Sequence, residues 1–181
     1  CPPGSRFAFA PGSSVPLRTP GNTQLANFVC LIPRIAVDGP AVVKSRVSLY
    51  GHGLLGSASE ITAGNIKSMA NEHNFVFCAT DWSGMSTQDV PNIATILGDL
   101  SNFPSLPDRA QQGFVNFMYL GRLMIHPAGF NTNTAFQFIK AGQPQAVIDH
   151  LAKPAIKDGV MQPWADLIRP FGALDNAWCK V

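Results

Sequence analysis

Charge of either sign is scarce in this sequence. Asp, Glu, Lys and Arg together make up 13% of its 181 residues, where globular proteins average roughly 25%. The formal net charge is +2, and no run or stripe of basic residues is visible, so we expect no nucleic-acid partner. No apolar stretch approaches the roughly 18 residues that a membrane-spanning helix needs, so we expect no membrane span. The hydrophobic content of 46% favours a compact globular domain over disorder.

Motifs for metal binding and redox chemistry are also missing. The four cysteines, Cys1, Cys30, Cys78 and Cys179, include no C-x-x-C pair, so we expect no zinc site, no thioredoxin-type motif and no cofactor. Four cysteines allow three pairings, and the sequence does not choose among them. Cys78 lies within the apolar run FVFCAT, where we expect a buried thiol. The low charge and the many Ser, Thr and Asn residues favour a secreted, extracellular protein, although the opening CPPGSRF shows no signal-peptide pattern.

Turn-forming residues divide the chain into segments. Residues 1–24 are rich in Pro, Gly and Ser and predict an N-terminal segment of loops. Runs of β-branched and aromatic residues predict three strands, at 25–37 (bent or at a sheet edge because of Pro33), 42–50 and 75–80. Apolar residues at helical spacing predict helices at 58–73, 92–103, 109–125 and 134–141, with broken helical signals over 145–169. Asp108 is predicted to be the N-cap of the long helix.

The order of these segments predicts the α/β class. The second strand, the first helix and the fully apolar third strand form a strand–helix–strand unit, which implies parallel pairing and a right-handed crossover. We therefore expect a partial, mostly parallel sheet flanked by helices over residues 25–148, followed by an irregular or helical tail over 149–181. Ligands of such sheets bind beyond the carboxyl ends of the strands. This rule singles out the loops at 51–57 and 81–90.

The first of these loops contains a dinucleotide-type glycine pattern. Gly51, Gly53 and Gly56 spell G-x-G-x-x-G between a predicted strand and a predicted helix, and Asp81 ends the next strand where a ribose-binding acid belongs. Against this interpretation, Asp81 lies 25 residues after Gly56, which is longer than the usual spacing of about 20 residues. The bulky Leu54 also lies where a pyrophosphate would approach. Nucleotide binding through this loop is therefore kept as an alternative.

The same loop can instead stabilise an oxyanion. Acyl transfer needs backbone N–H groups aimed at the charge that develops on the carbonyl oxygen, and an HG pair after a strand turns the chain sharply. The stretch SLYGHGLLGS resembles the HGL-x-G oxyanion stretch of bacterial lipases and esterases. The longer run from about 28 to 148 resembles a group of secreted bacterial hydrolases of the α/β-hydrolase fold. The matching pieces are FVCLIPRIAVDG, SLYGHGLLGS, FCATDWSGMS and LPDRAQQGFVNFMYLGRLM.

The resemblance implies an α/β-hydrolase-like fold and hydrolysis of a small-molecule or lipid carboxylic ester. By this resemblance, Leu54 supplies the oxyanion-binding backbone N–H, and His52 and Gly53 shape the loop. Asp81 and Trp82 line the pocket for the acyl or alcohol group. In this family the histidine at the position of His52 is not the catalytic base, and the aspartate at the position of Asp81 is not the acid of the triad.

The nucleophile of that family is absent from this chain. It lies in a G-x-S-x-G elbow, and no glycine here begins that motif; the resemblance ends at Asp149, before the elbow is reached. Ser57, Ser59 and Ser86 are surrogate nucleophiles only if a base lies within hydrogen-bond reach, and among them Ser57 is the one we single out. Helix capping or a position in a loop is sufficient to explain the presence of all three serines without a catalytic role. The resemblance therefore predicts a truncated hydrolase that is weak or inactive alone.

The missing nucleophile strand also affects the expected partners. Without it, the apolar strand FVFCAT is expected to lie at an open sheet edge, which invites pairing with another chain. We therefore expect either a homo-oligomer or a second chain that completes the sheet. A non-catalytic binding or interaction module on a hydrolase-like scaffold is the alternative from a different functional class.

Overall fold

The chain is described here from a computed structural model, which covers residues 2–18, 20–21 and 23–148. These residues belong to the first of the two units into which the chain divides, Cys1–Asp149. The predicted tail over 149–181, including most of its helical signals, lies outside the described residues.

Three strands form a mixed sheet. They are β1 (Phe28–Leu31), β2 (Arg46–Leu49) and β3 (Phe75–Thr80), and β3 lies in the centre. β2 pairs with β3 in parallel, while β1 pairs with β3 antiparallel. The parallel pair β2 and β3, joined through a helix, is what the sequence predicted.

The prediction of a mostly parallel, α/β-hydrolase-like sheet is wrong. One of the two pairings in the three-stranded sheet is antiparallel, and the remaining two strands, β4 (Gln137–Lys140) and β5 (Gln143–Ala146), form a separate antiparallel hairpin. The chain reverses at Pro33 through the one-turn helix α1 (Arg34–Val37). Because of this reversal, β1 and β2 run in opposite directions on the two sides of β3. Pro33 indicated in the sequence that the first strand is interrupted, but it did not indicate that the chain reverses direction there.

The hairpin replaces a predicted helix. Residues 134–141 carried helical spacing, yet they form a short turn (Thr134–Phe136) and strand β4. Ala141 and Gly142 connect the two strands, and both have positive φ, 50° and 76°. Two consecutive residues of positive φ form the type I′ turn that matches the twist of a hairpin.

Helices cover both faces of the three-stranded sheet. The long helix α4 (Ser105–Ile125) packs on one face, where Leu120 and Met124 join the core with Val47 and Val76. On the other face, the 3-10 turn Ala58–Thr62 and α2 (Gly64–His73) cover Phe77 and Ala79. The alternation of β3 side chains between the two faces follows from the period of two in a strand.

The helix boundaries differ from the predicted ones in three places. The predicted helix 58–73 is interrupted at Ala63, whose ψ of 150° is extended. The predicted helix 92–103 is α3 (Val90–Gly98), followed by a 3-10 turn at Leu100–Asn102. The long helix begins at Ser105 instead of 109, because a proline such as Pro107 is tolerated in the first turn. Asp108 is therefore inside the helix, and its predicted N-cap role is wrong.

A disulfide joins the two antiparallel strands. Cys30 and Cys78 are directly opposite each other in the β1–β3 register, with their Cα atoms 4.1 Å apart. Cys78 is fully buried, as predicted, but the expectation of a free thiol is wrong. The two runs FVCL and FVFCAT did not reveal the pairing because the sequence does not set the strand register.

The edges of the three-stranded sheet are β1 and β2, not FVFCAT. β3, which carries FVFCAT, has a strand on each side, so the prediction of an open edge there is wrong. At the start of β2, Ser45 forms an isolated parallel bridge with Ile148. No helix in the described part of the chain is both long and apolar enough to cross a membrane. Oligomerisation stays a prediction.

The N-terminal segment is attached to the helices by polar contacts. The Gly4 N–H donates to the Asn92 side chain on α3, at 2.8 Å. The Asp108 carboxylate on α4 accepts hydrogen bonds from the Arg6 guanidinium at 2.6 Å and from the Phe7 N–H at 3.0 Å. This segment is therefore docked on α3 and α4 and does not form part of either sheet.

Candidate functional site

Two loops meet at the carboxyl ends of the parallel strands. We call residues 51–57 the glycine loop and residues 81–90 the Asp81 loop; they follow β2 and β3. The Leu55 N–H donates to the Met85 carbonyl at 2.7 Å, and the Thr87 N–H donates to the Gly56 carbonyl at 2.8 Å. The Thr87 hydroxyl also donates to the Leu55 carbonyl at 2.7 Å. The loops singled out by the sequence are thus bonded directly to each other.

His52 is a buried link between the loops. Its side chain is 4% exposed, and its Nε2 accepts the Trp82 N–H at 2.8 Å. Its Nδ1 lies 2.7 Å from the Gly53 carbonyl oxygen. Since Nε2 accepts, this network assigns the proton to Nδ1, which then donates to Gly53. Both ring nitrogens are used in holding the loops, which leaves no free nitrogen to act as a base.

The glycine loop ends in a tight turn with Leu54 at its tip. The Gly56 N–H donates to the Gly53 carbonyl at 2.9 Å, and Leu55 has a φ of 56°, the pattern of a type II turn. Leu54 is 79% exposed. A Cβ on Gly56 would lie 1.9 Å from Glu60 Oε1 and 3.0 Å from the Gly53 carbonyl oxygen, so a larger residue there would displace the Glu60 carboxylate from the turn.

Most backbone N–H groups of this turn already have an acceptor. Gly53 donates to both oxygens of the Glu60 carboxylate, at 3.3 and 3.1 Å. Leu55 donates to the Asp81 loop and Gly56 donates within the turn. The Leu54 N–H has no acceptor among the described residues. The turn is therefore held from several sides and presents one unused donor at its exposed tip.

Asp81 and Trp82 connect this region to neighbouring elements. Asp81 accepts the Ala58 N–H at 2.8 Å through one oxygen and the Gln88 side-chain amide at 2.8 Å through the other. The Trp82 ring stacks on Phe117 of α4, with ring centroids 5.0 Å apart and an interplanar angle of 8°. The geometry thus gives both residues a supporting role, and their expected contact with a substrate stays a prediction.

The three candidate serines lie close to the two loops. The Ser57 hydroxyl is 2.6 Å from the Ser59 hydroxyl. The Ser86 hydroxyl donates to Asp89 Oδ2 at 2.8 Å and is buried. Within the described residues, no histidine ring is hydrogen-bonded to any of these serines. They therefore lack, among the described residues, the adjacent histidine that activates a serine nucleophile.

A buried acid missed by the sequence reasoning holds the Asp81 loop. Asp89 is 1% exposed, and its Oδ2 accepts the Gly84 N–H, the Ser86 N–H and the Ser86 hydroxyl at 2.8 to 2.9 Å. Its Oδ1 accepts the Arg109 guanidinium at 2.8 Å. The signal was available, because Ser86 and Asp89 have the S-x-x-D spacing of a capping box.

The pKa of Asp89 reflects two opposing effects. Burial by itself raises the pKa of a carboxyl, because it disfavours the charged form. The hydrogen bonds from Arg109 and Ser86, together with the positive charge of Arg109, outweigh that burial and hold the pKa of Asp89 below 3.8. Asp89 is therefore ionised at neutral pH and serves as an anchor of the loop.

Neither metal ligands nor known relatives identify this site. Within the described ranges, no group of three or more His, Cys, Asp or Glu side chains is arranged to hold a metal ion. No family model, curated protein or solved structure matches this chain.

Proposed function

We propose that this chain supplies the oxyanion-stabilising loop of a carboxylic-ester hydrolase of the esterase or lipase type. The observation that carries the proposal is the unused Leu54 N–H at the tip of a braced turn. The resemblance of SLYGHGLLGS to the oxyanion stretch of bacterial lipases and esterases supports the same role for Leu54.

The bracing of the turn matters because oxyanion stabilisation depends on donors that are fixed before the reaction. A donor that must reorganise during the reaction loses much of its effect. Here the Gly53, Leu55 and Gly56 N–H groups are engaged by Glu60, Met85 and Gly53, respectively. The Leu54 N–H is thereby held in place and available to a carbonyl oxygen.

The nucleophile has to come from elsewhere. Ser57, Ser59 and Ser86 have no histidine base in the described part of the chain, and residues 149–181 contain no serine, so a serine of a completing chain would attack the ester. His52 has a positioning role, because its ring fixes Gly53 relative to Trp82. The chain alone is expected to hydrolyse esters weakly or not at all.

The nucleotide-binding alternative has less physical support. A pyrophosphate on a glycine loop needs free backbone N–H groups and no neighbouring negative charge. In this loop, Glu60 takes the Gly53 N–H and Asp81 takes the nearby Ala58 N–H. Two carboxylates thus occupy backbone donors that a pyrophosphate would need.

An extracellular location is part of the proposal. Disulfides persist in oxidising compartments and are rare in the cytosol, and the Cys30–Cys78 bond joins two core strands. A small-molecule or lipid ester is the proposed substrate.

The variant Leu54→Pro tests the oxyanion role directly. Proline is favoured at the second position of a type II turn, so this change removes the Leu54 N–H and leaves the turn intact. In the assembly with the completing chain that supplies the nucleophile, we expect kcat for a p-nitrophenyl short-chain ester to fall by about 10²-fold or more, with little change in KM. Leu54→Ala keeps the N–H and is the matched control, with activity expected within about twofold of the original.

Fluorophosphonate labelling followed by peptide mapping locates the nucleophile. We expect no label on Ser57, Ser59 or Ser86; a label on any of them would overturn the inference that the nucleophile lies elsewhere. An ester hydrolysis rate that Leu54→Pro leaves unchanged would contradict the oxyanion role. Absence of both hydrolysis and labelling in the assembly with the completing chain would favour the non-catalytic binding module instead.

A further inference from the structure

A large groove separates the N-terminal segment from α4. Its volume is about 1300 Å³, which exceeds the range of about 300–1,000 Å³ that is typical of small-molecule pockets. Phe28 at the start of β1 and Thr80 at the end of β3 lie along it, and the N-terminal segment forms one wall.

The opposite wall is an apolar stripe of α4. Val115, Tyr119 and Leu123 line the groove, and their spacing of four residues places them on one side of the helix. All three are partly or largely exposed, as are Leu25 and Phe28. Gln112 and Asn116 of the same helix also line the groove. The groove therefore offers an apolar strip beside polar side chains, and the described residues leave it open.

The charges at the groove are of one sign. Arg6 and Arg18 line it on the side of the N-terminal segment, and no Asp or Glu does. Arg6 is bonded to Asp108, next to the groove. Arg18 forms no ion pair within the described residues. The groove thus combines a partly apolar wall with the Arg18 guanidinium, which has no carboxylate partner among the described residues.

We propose that this groove binds a long-chain fatty acid or another single-chain amphiphile with a carboxylate head. The acyl chain lies along Val115, Tyr119 and Leu123, where each methylene removed from water adds to affinity. The carboxylate pairs with Arg18, whose planar fork suits a carboxylate. The charge of the groove favours an anionic amphiphile over a neutral or cationic one.

The inference goes beyond the ester-hydrolase proposal. Neither Leu54 nor any of the candidate serines lines the groove, so binding here requires no catalytic step. Failure of fatty-acid binding leaves the Leu54 role untouched, and failure of ester hydrolysis leaves the groove untouched.

Fluorescence titration of the full chain with a polyene fatty acid tests the proposal, at concentrations below those at which the fatty acid aggregates. We expect saturable binding that Tyr119→Asp weakens at least about tenfold, because it places a negative charge in the apolar wall. Met118→Asp is the matched control: Met118 and Tyr119 are both 66% exposed on α4, but Met118 does not line the groove. Its affinity is expected to stay within about twofold of the original.

The head-group contact is tested with Arg18→Glu and with the methyl ester of the same fatty acid. We expect Arg18→Glu to weaken binding of the acid at least about fivefold and to leave binding of the methyl ester unchanged. Lys67→Glu, which makes the same charge reversal at an exposed position of α2, is expected to have no effect on either ligand.

Four results would overturn the proposal. The first is the absence of saturable binding by the unmodified chain. The second is an equal effect of Tyr119→Asp and Met118→Asp on fatty-acid affinity. The third is the same affinity for acid and methyl ester in the unmodified chain and in Arg18→Glu. The fourth is a dimer in sedimentation that Tyr119→Asp dissociates while no fatty acid binds, which would identify a second copy of the chain as the occupant.

Discussion

Replacing Asp89 by Asn removes one charge from a buried cluster and nearly preserves its shape. The Asp89 carboxylate accepts four hydrogen bonds, three at Oδ2 and one from Arg109 at Oδ1. An Asn side chain has one oxygen and one NH₂ group, so it can accept on one side only. If the NH₂ group takes the place of Oδ2, the Gly84 and Ser86 N–H groups lose their acceptor. If the side chain is flipped, the Arg109 guanidinium faces the NH₂ group.

Both orientations carry a similar cost. Two buried N–H groups without an acceptor cost about 1–3 kcal/mol each, and breaking a buried ion pair costs about 3–5 kcal/mol. Because the Arg109 side chain is only 13% exposed, water can replace little of its lost interaction with Asp89. We therefore expect Asp89→Asn to lower the free energy of unfolding by about 3 kcal/mol. With a urea m value of about 2 kcal/mol/M, the unfolding midpoint falls by about 1.5 M.

Urea unfolding followed by circular dichroism measures this change, and Asp38→Asn is its control. Asp38 pairs with Arg34 on the surface, where both side chains are largely exposed, so its loss is expected to cost less than about 0.5 kcal/mol.

The pKa of Asp89 is lower in the folded than in the unfolded chain, so its stabilisation is full above the unfolded pKa near 3.8 and is lost as the pH falls through the folded value. The difference between the original chain and Asp89→Asn should therefore shrink below pH 3.8. Equal stability of the two proteins at neutral pH would refute this reasoning.

Two further predictions concern packing and the disulfide. Gly113→Ala improves helix propensity by about 1 kcal/mol. However, its Cβ would lie 2.1 Å from the Trp82 ring and 2.5 Å from a backbone oxygen of the Asp81 loop. We therefore expect thermal unfolding to show a net decrease of about 2 kcal/mol in the free energy of unfolding. Gly64→Ala, with no atom within 4 Å of its Cβ, should show no loss, and an equal effect of both changes would contradict the packing argument. The disulfide closes a separation of 48 residues, so replacing both Cys30 and Cys78 by Ala is expected to cost about 4 kcal/mol in urea unfolding. Peptide mapping without a reductant should recover Cys30 and Cys78 in one linked fragment, and separate fragments would disprove the bond.

The sequence was sufficient where one local pattern decided the structure. The apolar run FVFCAT forms the buried central strand β3, and the helix before it enforces its parallel pairing with β2. The loops after these two strands meet, as the position of strand ends in such a unit requires. These features depend on contacts between neighbouring segments, which the order of the chain already implies.

The sequence was insufficient where distant residues compete with local preference. Asp108 is a residue type that favours the N-cap position, but it lies inside α4. There its carboxylate accepts a hydrogen bond from the Arg6 guanidinium, 102 residues away in the sequence. The antiparallel direction of β1 likewise depends on a reversal at Pro33. At the site, the bonds of His52 to both loops depend on three-dimensional placement. A histidine after a glycine gives no indication of which groups its two nitrogens will meet.

The attachment of the N-terminal segment has a consequence for the order of folding during synthesis. Arg6 and its acceptor Asp108 are separated by 102 residues, so at about 5–20 residues per second the ribosome completes Asp108 roughly 5–20 s after Arg6. For that interval Arg6 and its neighbours lack their docking surface, because α4 does not yet exist. Residues 1–24 are rich in Pro, Gly and Ser. Such a segment buries little apolar surface by collapsing on its own, so it is expected to stay extended until α4 is made. The segment around Arg6 thus leaves the ribosome well before the helix that it contacts, and it is among the last of the described residues to reach its native contacts.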